Sequence, residues 1–494
     1  MTEHADIAII GAGPGGYATA LRAAQLGKTV ALIERDAVVG GTCLNRGCIP
    51  SKALITASRQ VQTIRSAQEI GIHATIDSVD YGTMRNYKLR MVDTMTKGLS
   101  GLLAHRGVRV YRAIATLDDV SEHTLTLRES VPGLGIQLFL KAGVAQPLPA
   151  TLTLSAEHIV LATGSEPLAL PYHDFSGALI DSTQALNLNH APSSAIIIGS
   201  GAIAAEFASM WNAAGCEVTM LIRKDRLLSF WDKRTGMTLT RELKRSGVNV
   251  ITRTAISSVD VGVNLGATVH YTKQGGNEEL SAFAEIALGA IGRKPLTDAP
   301  WFDDNDIQRD TQGYVTTDEY GQTSIPGLWA VGDITPGPAL AYRAFQQGIV
   351  IAESISGIDT QPVRDSTIAQ VVFSSPEAAT VGYTLEQARA NTTLHNVKET
   401  PYPMMANSRM LMSESAGSLS IVSGEYEDDP GEPVVLGAHI VAPSASDLIT
   451  EAAQLVANRI SVHHASNLIH PHPTFSEMLG ETLLKADGRP LHTL

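Results

Sequence analysis

Two of the three cysteines in this 494-residue chain, Cys43 and Cys48, sit at i and i+5 within "GGTCLNRGCIPSK", with Arg46 between them. A close cysteine pair in a cysteine-poor chain can be a zinc half-site or a redox dithiol. A structural zinc needs four ligands, and neither a second CxxC nor a nearby His pair supplies the rest. The dithiol is the stronger reading, but it makes a demand on the backbone. In an ideal helix, residues five apart have α-carbons about 8–9 Å apart, whereas a disulfide spans less than about 7 Å. Gly47 and Pro50 are expected to break the helix and close that gap. Thiols at a helix start are expected to have lowered pKa values, and a cation such as Arg46 would lower them further.

The elements that must position this pair are legible on both sides of it. "DIAIIGAGPGGYATALRAAQLGKTVALIE" reads as strand, glycine turn, helix and strand. Gly11, Gly13 and Gly16 mark the turn, and Glu34 ends the second strand roughly 20 residues on, the spacing of a dinucleotide fingerprint. Glycines let a pyrophosphate approach the helix N-terminus, and the acid accepts from ribose hydroxyls. A near-repeat, "SAIIIGSGAIAAEFASMWNAAGCEVTMLIRKDRLL", places Gly199, Gly201 and Ala204 at the same three positions. Its second strand ends not in an acid but in Ile222, followed by Arg223 and Lys224. A guanidinium can pair with a 2′-phosphate that an acid would repel, so this site leans towards NADPH; the same pair could equally be a solvated strand end. Cys216, in the turn of the second copy, reads as a packed small residue.

The whole chain sets outer bounds. Its length suits two to four domains, and its net charge of −13 disfavours a nucleic-acid surface. Neither a signal peptide nor an apolar run near 20 residues is evident, so a soluble, cytoplasmic protein with no membrane segment is expected.

"GGTCLNRGCIPSK" resembles the active-site motif of the FAD-dependent pyridine-nucleotide disulfide oxidoreductases. The likeness runs nearly end to end. "IVLATGSEP" (159–167) resembles the strand leaving the flavin domain, and "ALGAIGRKP" (287–295) the strand re-entering it. "GLWAVGDI" (327–334) resembles the second flavin motif, and "VVFSSPEAATVGYT" and "HPHPTFSEML" resemble segments of a dimerisation domain. The resemblance implies an α/β fold with two Rossmann-type domains. These are an FAD-binding domain (1–166 and 291–361) and an NAD(P)-binding domain (167–290), followed by a C-terminal α+β dimerisation domain (362–494).

It also implies residue roles. Cys43 matches the interchange thiol that meets substrate, and Cys48 the thiol that lies against the flavin as a charge-transfer donor. Lys52 matches the lysine near the flavin's reactive nitrogen, paired with Glu206. Thr42, Ala115, Thr163, Gly164, Asp333 and Ala341 fall at flavin contacts, and Gly292 at a nicotinamide-nucleotide contact. His472 and Glu477 match an acid–base histidine and its carboxylate, reaching the dithiol from the other subunit of a homodimer. The role of His470 stays open.

Within the family the likeness is closest to the dihydrolipoamide dehydrogenases, with a glutathione-reductase-like second nucleotide site. No cysteine follows Cys216, so the C-terminal cysteine relay of some members cannot exist. Leu21 stands where glutathione reductases carry an arginine. A dithiol or disulfide of lipoamide type is the expected substrate, with another small disulfide reduced by NADPH as the alternative. Docking to a 2-oxo acid dehydrogenase complex is a further possibility. At the second site Ser229 stands where a second phosphate-binding arginine is expected, and Arg226 is a candidate to replace it. Arg46 has no assigned role, since relatives place a small apolar residue there.

Overall fold

The computed structural model describes residues 2–171, 173–262 and 266–493. The chain forms two compact units. The first gathers residues 1–54, 82–167 and 293–365; the second gathers 55–81, 168–292 and 366–494.

The first unit is built on an eight-stranded sheet. Its parallel part runs in the order Leu328–Ala330, Thr151–Leu161, Thr2–Ile10, Val30–Glu34 and Arg109–Asp119. Antiparallel strands then extend it, and Thr124–Glu129 bridges Arg109–Asp119 and Thr151–Leu161. Parallel strands are buried on both faces, so they read as continuous apolar runs. "IAII" behaves accordingly: Ile7 and Ile9 enter one core cluster, Ala8 and Ile10 the other. The helix Pro14–Gln25 opens with proline in its first turn, where the missing N–H costs nothing. It packs on the helix Ala341–Ile355, where Gly348 brings the backbones together: a β-carbon there would lie 2.8 Å from the Gly15 carbonyl oxygen.

The second unit holds three sheets. A five-stranded parallel sheet runs Asn249–Thr252, Glu217–Ile222, Ser194–Ile198, Ile286–Gly289, Leu179–Ile180. A three-stranded antiparallel sheet spans Thr254 to Ala284. A five-stranded antiparallel sheet, made by residues 370–442, is covered by the helix Ala445–Ala457. Ile421 and Ile440 of the sheet pack with Ile449 and Leu483 of the helices in one cluster, and Val422 and Leu436 enter a second. Among the described residues no helix is long and apolar enough to cross a membrane.

Candidate active site

In the first unit the strand Thr2–Ile10 delivers the chain to Gly11, whose φ of +108° suits glycine. A β-carbon on Gly11 would lie 2.3 Å from the Ala162 carbonyl oxygen, and one on Gly16 would lie 1.8 Å from the Gly11 carbonyl oxygen. Gly13 differs: the nearest atom to a β-carbon there is Gly41 Cα at 3.8 Å. Two glycines therefore serve packing, and the third keeps a surface clear for a ligand. Glu34 is 7% exposed and accepts from the N–H groups of Ala12 and Asp36, each at 2.9 Å. Burial pushes its carboxyl pKa up, and those two N–H groups oppose the rise. An open glycine turn at a helix start, with a buried acceptor at the next strand end, fits the adenosine diphosphate half of FAD.

The remaining expected flavin contacts occupy the same unit. Thr163 Oγ1 donates to the Leu296 carbonyl at 2.8 Å, and Leu296 N–H donates to the Gly164 carbonyl at 2.9 Å. Ala115 sits on Arg109–Asp119 opposite Leu127, and Ala341 begins its helix. Asp333 accepts from Ser165 Oγ at 2.5 Å, and that hydroxyl accepts from Arg293 Nε at 2.7 Å. Ser165 and Arg293 were not foreseen as site residues, although both lie inside the two linking motifs.

The dithiol straddles a break between two helices. Gly41–Arg46 carries Thr42 and Cys43; Cys48–Ser66 begins with Cys48 and carries Lys52. Between them Gly47 leaves helical geometry (φ −141°, ψ −108°), as the cysteine spacing requires. Neither cysteine is in a disulfide, and both are half-buried. The Cys48 side chain lies against the Cys43 thiol, and this contact, followed by burial, drives the Cys43 pKa well above its usual value. This reverses the expectation of a lowered value for Cys43. The cation acting on Cys43 is Lys52. Arg46 is paired instead with Asp36, Nη2 to Oδ2 at 2.5 Å. Two tyrosines flank the pair. Tyr17 packs against Phe345 with the rings tilted by 42°, and its pKa is raised by burial and then by the cysteine charges. Tyr342 is pushed up to about 12, by burial first and then by Cys48. Neither stood out in the sequence, since a single tyrosine carries no spacing signal. Among the described residues one close grouping of three cation-ligating side chains occurs, His4, Asp6 and Glu157, and it contains no cysteine.

The second unit repeats the glycine turn. Gly199 has φ +138°, and its β-carbon would lie 2.2 Å from the Ala290 carbonyl oxygen; at Gly201 nothing lies within 4 Å. Ala204 and Ile222 are fully buried, and Arg223 and Lys224 are exposed at the strand end. Arg226, the candidate to replace the missing arginine, is engaged by its own loop. Its guanidinium donates to Asp225 at 3.0 Å and to the Ser229 carbonyl at 3.2 Å. Gly292 has φ +150° with open space about it, its nearest neighbour being Leu168 at 3.9 Å. Glu206, 9% exposed, accepts from Phe373 N–H at 3.0 Å. Lys52 and Glu206 thus belong to different units. Cys216 is buried and its thiol is pushed up to about 12, which suits a packing residue.

Also in the second unit, His472 Nδ1 meets Glu477 Oε2 at 2.8 Å, with the imidazole well exposed. Asn407 Nδ2 donates to the other carboxylate oxygen at 3.0 Å and to the Thr474 carbonyl at 2.9 Å. His470 points elsewhere, with Nε2 on Glu451 at 2.8 Å and its ring against Gly480. The contact with Glu451 raises the His470 pKa.

Residues 5–348 match the family described as "Pyridine nucleotide-disulphide oxidoreductase", and residues 368–483 match its dimerisation domain. The chain belongs to this family. The oxidoreductase is 34% identical over 487 residues to a dihydrolipoyl dehydrogenase of Geobacillus stearothermophilus, covering 98% of this chain and 97% of the relative. It is 34% identical over 493 residues to the dihydrolipoyl dehydrogenase of Chlamydia pneumoniae, covering 100% and 99%. Among solved structures it is similar to LpdA from Mycobacterium tuberculosis (TM-score 0.83, 26% identity, 98% of this chain and 99% of that one). It also shares its fold with RclA, a flavoprotein disulfide reductase from Escherichia coli (TM-score 0.80, 24% identity, 97% and 99%). The oxidoreductase is therefore a flavoprotein enzyme of lipoamide dehydrogenase type, with FAD and a nicotinamide nucleotide as cofactors. Its fold comprises two Rossmann-like domains and a dimerisation domain.

Proposed function

We propose that this enzyme moves two electrons between dihydrolipoamide and a nicotinamide nucleotide, through the Cys43–Cys48 pair. The observation that carries the reading is the approach of the two cysteine side chains across the Gly47 break, in the same unit as the open glycine turn. The proposed domains are 1–166 with 291–361 for FAD, 167–290 for the nicotinamide nucleotide, and 362–494 for dimerisation.

The chain's own residues take the following parts. His472 of the partner subunit, oriented by its Glu477, accepts the proton of a substrate thiol, which is a poor nucleophile until ionised. The substrate thiolate attacks Cys43 of the oxidised pair; the Cys43–Cys48 bond breaks, and Cys48 leaves as a thiolate. The second substrate thiol then displaces Cys43 and gives up its proton to the departing Cys43 sulfur, so the substrate leaves as a disulfide and Cys43 as a thiol. FAD supplies the two-electron relay from the reduced pair to the nicotinamide ring. Lys52 stands beside the dithiol as the fixed positive charge, and by family likeness pairs with Glu206. Thr42, Thr163, Gly164, Asp333, Ala115 and Ala341 are assigned to the flavin; Gly199, Gly201, Ala204, Arg223 and Gly292 to the nicotinamide nucleotide.

A second reading concerns direction. Arg223 and Lys224 are exposed at the position where an acid would select NADH, and Ile222 is apolar. This favours NADPH and reduction of a small disulfide. Membership of a 2-oxo acid dehydrogenase complex and a cytoplasmic location complete the proposal; the free Cys216 is in keeping with a reducing compartment.

The test is to reduce the bound flavin with NADH and with NADPH, offering lipoamide and glutathione disulfide as acceptors. Lipoamide turnover that disappears in Cys48→Ser supports the main reading; turnover at the wild-type rate in that variant rejects it. A preference for NADPH of about tenfold or more, the scale of one charge-assisted contact, supports the second. The reverse ranking leaves Arg223 as surface charge.

A further inference from the structure

Arg46 lies between the two cysteines, yet its guanidinium is engaged on the nucleotide side of the unit. Glu34, at the end of the strand Val30–Glu34, is buried and oriented by the N–H groups of Ala12 and Asp36. Two residues on, Asp36 places a second carboxylate within Coulomb range of the first. Like charges in a low-dielectric site oppose each other's ionisation. Arg46 pairs with Asp36 at 2.5 Å, with both side chains about one-third exposed or less, and its charge reaches Glu34 as well. The other cation near Asp36 is Arg35, at 4.0 Å and 60% exposed, where solvent weakens it. The same loop is pinned at two further points: Gly40 N–H donates to the Ala12 carbonyl at 2.8 Å, and Asn45 Nδ2 donates to the Val39 carbonyl at 3.2 Å.

We infer that Arg46 is a positioning residue for the adenosine ribose of FAD. By neutralising Asp36 it holds the turn whose N–H orients Glu34, and it keeps Glu34 charged as the acceptor for the ribose hydroxyls. One side chain thereby joins the helix of the interchange thiol to the nucleotide-binding strand. The inference rests on the reading that FAD occupies the first glycine turn.

The test is FAD titration of the apoprotein, followed by flavin fluorescence, over a pH series that runs from neutral down through the carboxylate range. Glu34 faces Asp36 and Arg46, with Arg35 behind Asp36, so these are the charges that set its acid limb. Arg46→Val should weaken FAD binding about tenfold at neutral pH, the scale of one charge-assisted contact, and move the acid limb of binding to higher pH. Arg46→Lys should restore most of the affinity. Arg46→Val with Asp36→Asn should bind better than Arg46→Val alone, because the charge that Arg46 neutralises is gone. Iodoacetamide labelling of the reduced cysteines should be unchanged in Arg46→Val. Affinity within about twofold of wild type at every pH, or losses that add in the double variant, would overturn the inference. So would equal loss of melting temperature in the apo and FAD-bound forms, which marks a general fold contact. A wild-type apoprotein that takes up no FAD would instead reject the reading of the glycine turn.

Discussion

His472 Nδ1 and Glu477 Oε2 are 2.8 Å apart, and the second oxygen of the same carboxylate is held by Asn407. The amide of Asn407 is 1% exposed and fully engaged: its oxygen accepts from Met410 N–H, and its nitrogen donates to Glu477 and to the Thr474 carbonyl. The carboxylate is therefore fixed from behind, and the imidazole that leans on it presents its other nitrogen to solvent.

Replacing Asn407 should loosen that carboxylate without removing the base. Asn407→Ala is expected to lower kcat for dihydrolipoamide by about tenfold, against a loss of roughly 10²–10⁴ for His472→Gln. NADH oxidation by a dye that bypasses the thiols should be unaffected in both variants. Equal losses in the thiol and dye assays would assign Asn407 a purely structural part.

Contact with the Cys48 side chain, ahead of burial, raises the Cys43 pKa. Cys48→Ala removes that contact, so the Cys43 pKa should fall towards the ordinary thiol value. Iodoacetamide should then label Cys43 at least about tenfold faster at mildly alkaline pH, one pKa unit being a factor of ten in thiolate. Labelling no faster than in the reduced wild type would place the cause in burial alone.

The glycine turn predicts a contrast between two single substitutions. Gly16→Ala forces a β-carbon to within 1.8 Å of the Gly11 carbonyl oxygen, and should destabilise the unit outright. Gly13→Ala meets nothing closer than 3.8 Å, so the chain should fold with a near-normal melting temperature as apoprotein. Its defect should appear only in FAD uptake, because the methyl group occupies the face left for the pyrophosphate. A Gly13→Ala protein that binds FAD normally would place the cofactor elsewhere.

Lys88, 2% exposed on the helix Tyr81–His105, has its pKa lowered to about 8, by burial first and then by Arg85. Below about pH 8 both folded and unfolded chains carry the proton, and the cost of burying the charge is fully present. Between about 8 and the ordinary lysine value the unfolded chain binds the extra proton, so unfolding free energy rises with pH. The gain is bounded at about 3 kcal/mol. Urea denaturation across this range should show the rise in the wild type and a flatter profile in Lys88→Met. Parallel profiles would show that Lys88 titrates at its ordinary value.

Much of this was legible before any fold was seen, for definite reasons. The Gly47 break follows from two cysteines that must approach each other yet lie five apart. The glycine turns follow from backbone positions that no side chain can share. Contacts between distant segments were illegible. Asn407 reaches Glu477 from 70 residues away, and Ser165 reaches Asp333 from 168. Nothing local in either pair marks the partner. Arg46 and the Cys43 thiol show the same limit for charge: proximity along the chain suggested a cation acting on a thiol, and Asp36 claims that cation instead. Arg226 was likewise taken up by its neighbours in the loop.

The flavin-side sheet is completed by a late strand. Leu328–Ala330 pairs with Ile159–Leu161 at its edge, and Asp333 follows at once. A chain emerging from the ribosome therefore carries its glycine turn and both cysteines long before the partner for that edge exists. Until residue 330 is made, the edge at 159–161 presents open hydrogen-bonding groups that invite intermolecular pairing. Stalled synthesis between these points should yield aggregation-prone fragments.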